Sequence, residues 1–193
     1  KIPFWREYLV SEKSQQFVER SLLTSGFSCG YSQGVMLSYK NEWIHVAAAF
    51  TDGRSASNTA WNAADTEWAI SGRGDLRVLG DWKHYKDFES FRGDDPLWVI
   101  GGGVHAQQSE YGTPTTGETT EVRWTVDSSM EFGGGNIFVA AVGTHQDANS
   151  AEDISQIGFL AQGGYFLTKD LEVIGRYEWA NADATGEEDL SLV

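Results

Sequence analysis

Along most of the chain apolar and polar residues alternate singly, the period of a strand with two unlike faces. The segment 171–179 is the clearest: Leu171, Val173, Tyr177 and Trp179 share one parity, and Glu172, Arg176 and Glu178 the other. The segment 119–132 repeats it, with Val122, Trp124, Val126, Met130 and Phe132 opposite Glu121, Arg123, Thr125, Asp127 and Glu131. Segment 67–79 sets Trp68, Ile70, Leu76 and Val78 against Glu67, Ser71, Arg73, Asp75 and Arg77. In 154–167, Ile157, Phe159, Ala161, Tyr165 and Leu167 fall on one side. Further strands are predicted at 32–40, 43–51, 97–107 and 136–146, although the glycine-rich 97–107 does not separate its faces. Residues 1–30 break the rhythm: 1–4 read as a strand end closed by Pro3, and 11–25 as a short helix or compact loop.

The pattern predicts an all-β, antiparallel, single domain spanning 1–193, but soluble sheets alternate in the same way. What matters is which face meets water. Trp68, Trp124, Phe132, Tyr165 and Trp179 lie on apolar faces, as in a buried sandwich core or in the interfacial girdle of a membrane barrel. Arg73, Arg77, Arg123 and Arg176 share the polar parity with Glu121, Asp127, Glu172 and Glu178. They read either as side chains lining a wet lumen or as cross-strand ion pairs that brace the wall. Connection lengths favour the barrel. Asn41-Glu42, Gly133-Gly134-Gly135 and Thr168-Lys169-Asp170 are short, and 52–66, 108–118, 147–153 and 181–188 are longer and polar. Short turns at one rim and long loops at the other characterise outer-membrane barrels, and only 80–96 departs from the rule.

Composition narrows the function. The chain of 193 residues carries 28 acidic and 14 basic side chains, a net charge of −14, which argues against nucleic acid as a partner. Hydrophobic residues make up 40%, and no apolar run reaches the length of a membrane helix. Twenty-two glycines and eight tryptophans against three prolines suit a sheet. Cys29 is alone, so neither an intrachain disulfide nor a cysteine metal cluster is expected. His45, His84, His105 and His145 lack metal-ligand spacing, and no nucleophile elbow, phosphate loop or dinucleotide fingerprint occurs. Neither catalysis nor a cofactor is expected. The chain opens at Lys1 and ends on what reads as the start of a further strand, so a domain cut at both ends is expected.

Lys1-Ile2-Pro3-Phe4-Trp5-Arg6-Glu7, then Gln16-Phe17-Val18-Glu19-Arg20-Ser21-Leu22, then Gln33-Gly34-Val35 resemble the phosphate-selective porins O and P of Gram-negative outer membranes. Ala49-Phe50-Thr51-Asp52-Gly53, Gln162-Gly163-Gly164-Tyr165-Phe166-Leu167 and the strand from Leu171 to Glu178 are similar to later elements of that family. The resemblance implies a transmembrane barrel of about sixteen strands, of which this chain would supply about ten. It implies a homotrimer in outer-membrane lipid that passes small hydrophilic solutes, including anions such as phosphate. It also implies that residues 5–30 form a long connection able to fold inward and narrow the pore. The mixed charges of the polar faces point instead to general diffusion of small polar solutes. A different class remains open, a soluble acidic all-β carbohydrate-binding or carbohydrate-active domain with exposed aromatics as sugar platforms.

Overall fold

The computed structural model describes residues 1–56, 66–110, 118–148, 153–181 and 190–192. Nine strands follow one another in a single meander: β1 (Gly34–Lys40), β2 (Ile44–Thr51), β3 (Thr66–Leu79), β4 (Leu97–Glu110), β5 (Glu118–Glu131), β6 (Gly135–Ala148), β7 (Ile154–Phe166), β8 (Glu172–Ala180) and β9 (Leu190–Leu192). Each pairs antiparallel with the next. Among the described residues β1 and β9 each have one neighbour and do not pair with each other. The all-β antiparallel expectation holds, with nine strands among the described residues.

Local chemistry sets the short turns. The Asn41 side-chain oxygen accepts from the backbone N–H groups of Trp43 and Ile44, each at 2.8 Å, which folds β1 onto β2. Gly133 and Gly134 adopt φ of 57° and 113°, conformations that side chains resist, and return β5 into β6. The Thr168 hydroxyl accepts from Leu171 N–H at 3.1 Å before β8. The longer connections expected within 52–66, 108–118, 147–153 and 181–188 fall largely outside the described residues. β3 to β6 each run fourteen residues, more than the nine to eleven or so that cross a hydrocarbon core.

The expected strand end at 1–4 is corrected. Pro3 removes a ladder donor, and residues 1–30 instead fold across the polar face of the sheet, with Ile2 N–H donating to Gly30 O. They carry α1 (Arg6–Leu9) and α2 (Leu22–Phe27). The helix lies later than expected because Ser21 is its cap: the Ser21 hydroxyl accepts from Thr24 N–H at 3.1 Å. Ile2, Phe4, Trp5, Val10, Leu23, Phe27 and Cys29 pack with Phe88, Phe138, Ala140, Val142 and Leu160 into one apolar core. Phe88 comes from the 80–96 connection, which enters from the opposite rim. Two segments therefore meet over the same face.

This packing inverts the usual arrangement of a sheet in water. On β5, Glu121, Arg123 and Asp127 are 1, 5 and 4% exposed, whereas their neighbours Trp124 and Val126 are 40 and 55% exposed. The same holds across the sheet: Ile70, Val104, Val139, Phe159, Val173 and Tyr177 all lie on the open side. No second layer covers that side among the described residues. Fully burying one such side chain is worth about 1.5–3 kcal/mol, so a face this large has a strong drive to leave water.

Candidate functional site

The covered polar face is organised by three groups of buried charges. In the first, the Arg73 guanidinium on β3 grips Asp127 of β5 through two hydrogen bonds of 2.8 and 2.9 Å and pairs with Asp75 at 2.6 Å. It also donates to Phe4 O at 3.0 Å. The Tyr85 hydroxyl donates to Asp75 at 3.1 Å, and Arg6 stacks on the Tyr85 ring at 3.7 Å. The glycines of β4 make this group possible. A Cβ at Gly101 would meet the Arg73 guanidinium and lie 2.5 Å from Asp75 Oδ1, and one at Gly103 would lie 2.8 Å from Phe4 O. The run Gly101-Gly102-Gly103, whose faces the sequence did not separate, is thus the bed of the N-terminal segment.

The second group lies nearer the other rim. Glu121 accepts from Arg123 Nε on its own strand and from Arg54 Nε at 2.8 Å, while Arg123 Nη1 donates to Gly26 O at the end of α2, 3.0 Å away. Beside it the Ser71 hydroxyl, His105, Gln107 and Ser109 form a buried chain of hydrogen bonds. Arg54 N–H donates to Gln107 Oε1, leaving the His105 Nε2–H to donate to that same oxygen and Nδ1 to accept from Ser71. Ser71, His105, Gln107 and Ser109 each have a partner and are buried, so the run braces the fold.

The third group fixes the helical segment. Glu7, 1% exposed, accepts from Ser21 N–H at 2.9 Å, from the Ser21 hydroxyl and from the Thr24 hydroxyl at 2.5 Å. Trp5 Nε1 donates to the Thr24 hydroxyl at 2.6 Å. Arg176 on β8 pairs with Glu178 at 2.9 Å, approaches Glu7 at 3.7 Å and donates to Glu19 O at 2.8 Å. Glu178 in turn accepts from Leu23 N–H.

Each predicted site residue can now be placed. Arg73, Arg123, Glu121, Asp127 and Glu178 lie on the polar face, buried beneath the covering segments and held in ion pairs and hydrogen bonds that brace the wall. Arg176 and Glu172 stay partly exposed, and Arg77 faces Trp43 at 5.7 Å near the β1–β2 turn. All five predicted girdle aromatics sit on the open face or at its edge. Phe132 and Tyr165 lie at one rim, where Gly135 leaves room for both rings. Trp68 and Trp179 lie near strand ends, with Trp179 stacked on Phe159 at 5.7 Å. Trp124 stands on the open face at the middle of β5, away from either rim, where its indole lies over Gly143. Trp98, which the sequence did not single out, is cross-strand from Met130 on the open parity and lies at the same rim as Phe132; Trp43, at the β1–β2 turn, has the other parity and is exposed beside Arg77.

Burial leaves a testable mark on Cys29. Desolvation pushes its thiol up to about 12, so little thiolate exists at neutral pH. Thiol reagents are expected to label the folded chain far more slowly than the unfolded one. Gly103→Ala forces Phe4 O to shift and is expected to cost about 1–3 kcal/mol and to speed Cys29 labelling. Denaturation midpoints and labelling rates measured on the same preparations check both.

No group of three or more His, Cys, Asp or Glu side chains comes together at metal-binding distances among the described residues. The comparisons with known proteins name no relative: no family model matches the chain, and neither a curated protein nor a solved structure matches it.

Proposed function

We propose that the chain forms part of the wall of an outer-membrane porin of a Gram-negative-type bacterium, a closed barrel through which small hydrophilic solutes diffuse passively. The observation that carries this reading is the inversion of the sheet. Its hydrophobic face is open and its charged face is covered, which suits lipid outside and a polar lumen inside. The fourteen-residue strands and the aromatics at the rim of Phe132 and Tyr165 support it. Residues 1–30 and 80–96 then narrow the lumen from opposite rims. The trimer and the choice of anions rest on the family resemblance alone.

Selectivity follows from charge pairing. Arg73, Arg123 and Arg176 are each matched by carboxylates, so a passing anion meets no ladder of free cations. The full-length protein in a planar bilayer is expected to conduct, with a reversal potential near zero in a salt gradient. Recovery from detergent-free extracts as a soluble monomer that binds glycans would overturn the porin reading in favour of the carbohydrate-binding one. Absence of conductance from a folded, membrane-inserted protein would reduce it to a structural barrel.

A further inference from the structure

Near the β5–β6 turn the covered face holds buried oxygen atoms that none of the described residues satisfies. Glu131 at the end of β5 is cross-strand from Asn136 on β6, so their side chains are neighbours on one face. Both are more than nine-tenths buried, at 5 and 4% exposure, yet Glu131 Oε2 and Asn136 Oδ1 have no hydrogen-bond partner among the described residues. Gln162 on β7, one step along the same face, is equally buried with its Oε1 unpartnered. Gln16, from the N-terminal segment, adds a fourth such oxygen.

The amide orientations are not arbitrary. Glu172 is an acceptor at this site, and it takes Gln16 Nε2 at 2.7 Å, with Asn136 Nδ2 at 3.5 Å. Each amide therefore points its nitrogen at Glu172 and turns its oxygen away. Gly164, paired with Asn136, makes the room: a Cβ there would collide with both the Glu172 carboxylate and the Gln16 amide. The surrounding charge is negative. The charges of Asp87 and Asp94 act on Glu131, and those of Glu172 and Asp87 on Glu89. Of the cations around them, Arg6 is committed to the carbonyls of Tyr85 and Asp87 and to the Tyr85 ring, while Lys86 and His84 lie near Asp87. Arg92 is held by the carbonyls of Phe166 and Leu167.

Orphaned carboxylate and amide oxygens in a negative field, with no thiol and no imidazole among them, are the donor set of a hard cation. We infer that Glu131, Asn136 and Gln162 contribute to a binding site for a calcium-type divalent cation, which ties the β5–β6–β7 rim to the segments folded over it. Without thiolate or imidazole these donors do not make a zinc-type site, and they suit the flexible, mixed oxygen coordination of calcium. The site lies on the covered face and does not depend on whether the barrel conducts.

Equilibrium dialysis of the folded, detergent-solubilised full chain against radioactive calcium is expected to show one saturable site per chain. Calcium is also expected to raise its thermal midpoint. Glu131→Gln keeps the shape and removes the charge, and should weaken binding at least ten-fold. Glu42→Gln and Asp170→Asn, in exposed turns, should leave it unchanged. If Glu131→Gln does not fold, as judged by heat-modifiable migration, Gln162→Met removes one acceptor at similar volume and should weaken binding several-fold. Absence of saturable binding overturns the inference. So does binding that survives Glu131→Gln or Gln162→Met intact, or that falls equally in the exposed-turn variants.

Discussion

Val126→Arg is expected to destabilise the folded chain by about 2–4 kcal/mol when folding is measured into lipid vesicles, and to be nearly neutral if that face meets water. Val126 is 55% exposed and stands between Gly102 of β4 and Ala141 of β6, where a longer side chain meets no protein obstacle. Steric clash therefore cannot produce the loss. In hydrocarbon a guanidinium near mid-strand must be desolvated or must drag water and headgroups inward, and the cost falls as the position approaches a rim. Asp170→Arg, in the exposed β7–β8 turn, is the control and should change stability by no more than about 0.5 kcal/mol. Urea titrations of both variants in vesicles, followed by tryptophan fluorescence, decide the matter. A Val126→Arg loss no larger than the Asp170→Arg loss would sink the lipid-facing assignment.

Arg73→Ala should cost about 3–5 kcal/mol, because it strands Asp127 and leaves Asp75 with Tyr85 and a 3.5 Å contact to His45. The damage is in the uncompensated charges, so the double variant Arg73→Met/Asp127→Leu should recover much of it. Arg73 also holds Phe4 O, and loss of that contact should loosen residues 1–30. A channel narrowed by this segment would then conduct more, and Cys29 would become easier to label. Equal losses in the single and double variants would show that the stability lies in packing of the Arg73 side chain and not in its pairing. By contrast, Arg77→Ala removes only a partly exposed guanidinium near Trp43 and should fall within about 1 kcal/mol.

The two faces of β3, β5, β7 and β8 were legible in the sequence because side-chain direction has a period of two, whatever the strand packs against. Nothing about β4 was legible in this way. Glycine has no side chain to mark a face, and the reason for Gly101 and Gly103 lies in Phe4, Arg73 and Asp75, remote in sequence. The position of α2 was misplaced for a similar reason. Ser11 precedes only the 3-10 turn Glu12–Ser14 and makes no side-chain cap, whereas Ser21 caps α2 and is held by Glu7, which accepts from Ser21 and Thr24. The arginine positions were visible on the polar parity, but their partners were not, since Asp127, Gly26 and Glu19 reach them only through the fold.

Sequence alone determined the approximate strand positions, the short turns and the separation of an apolar from a charged side, because these depend on neighbours a few residues away. Tertiary structure decided that the charged side is the covered one, that two connections from opposite rims close over it, and that its arginines are braces. Those outcomes depend on contacts between distant segments, whose desolvation and pairing energies no local spacing encodes.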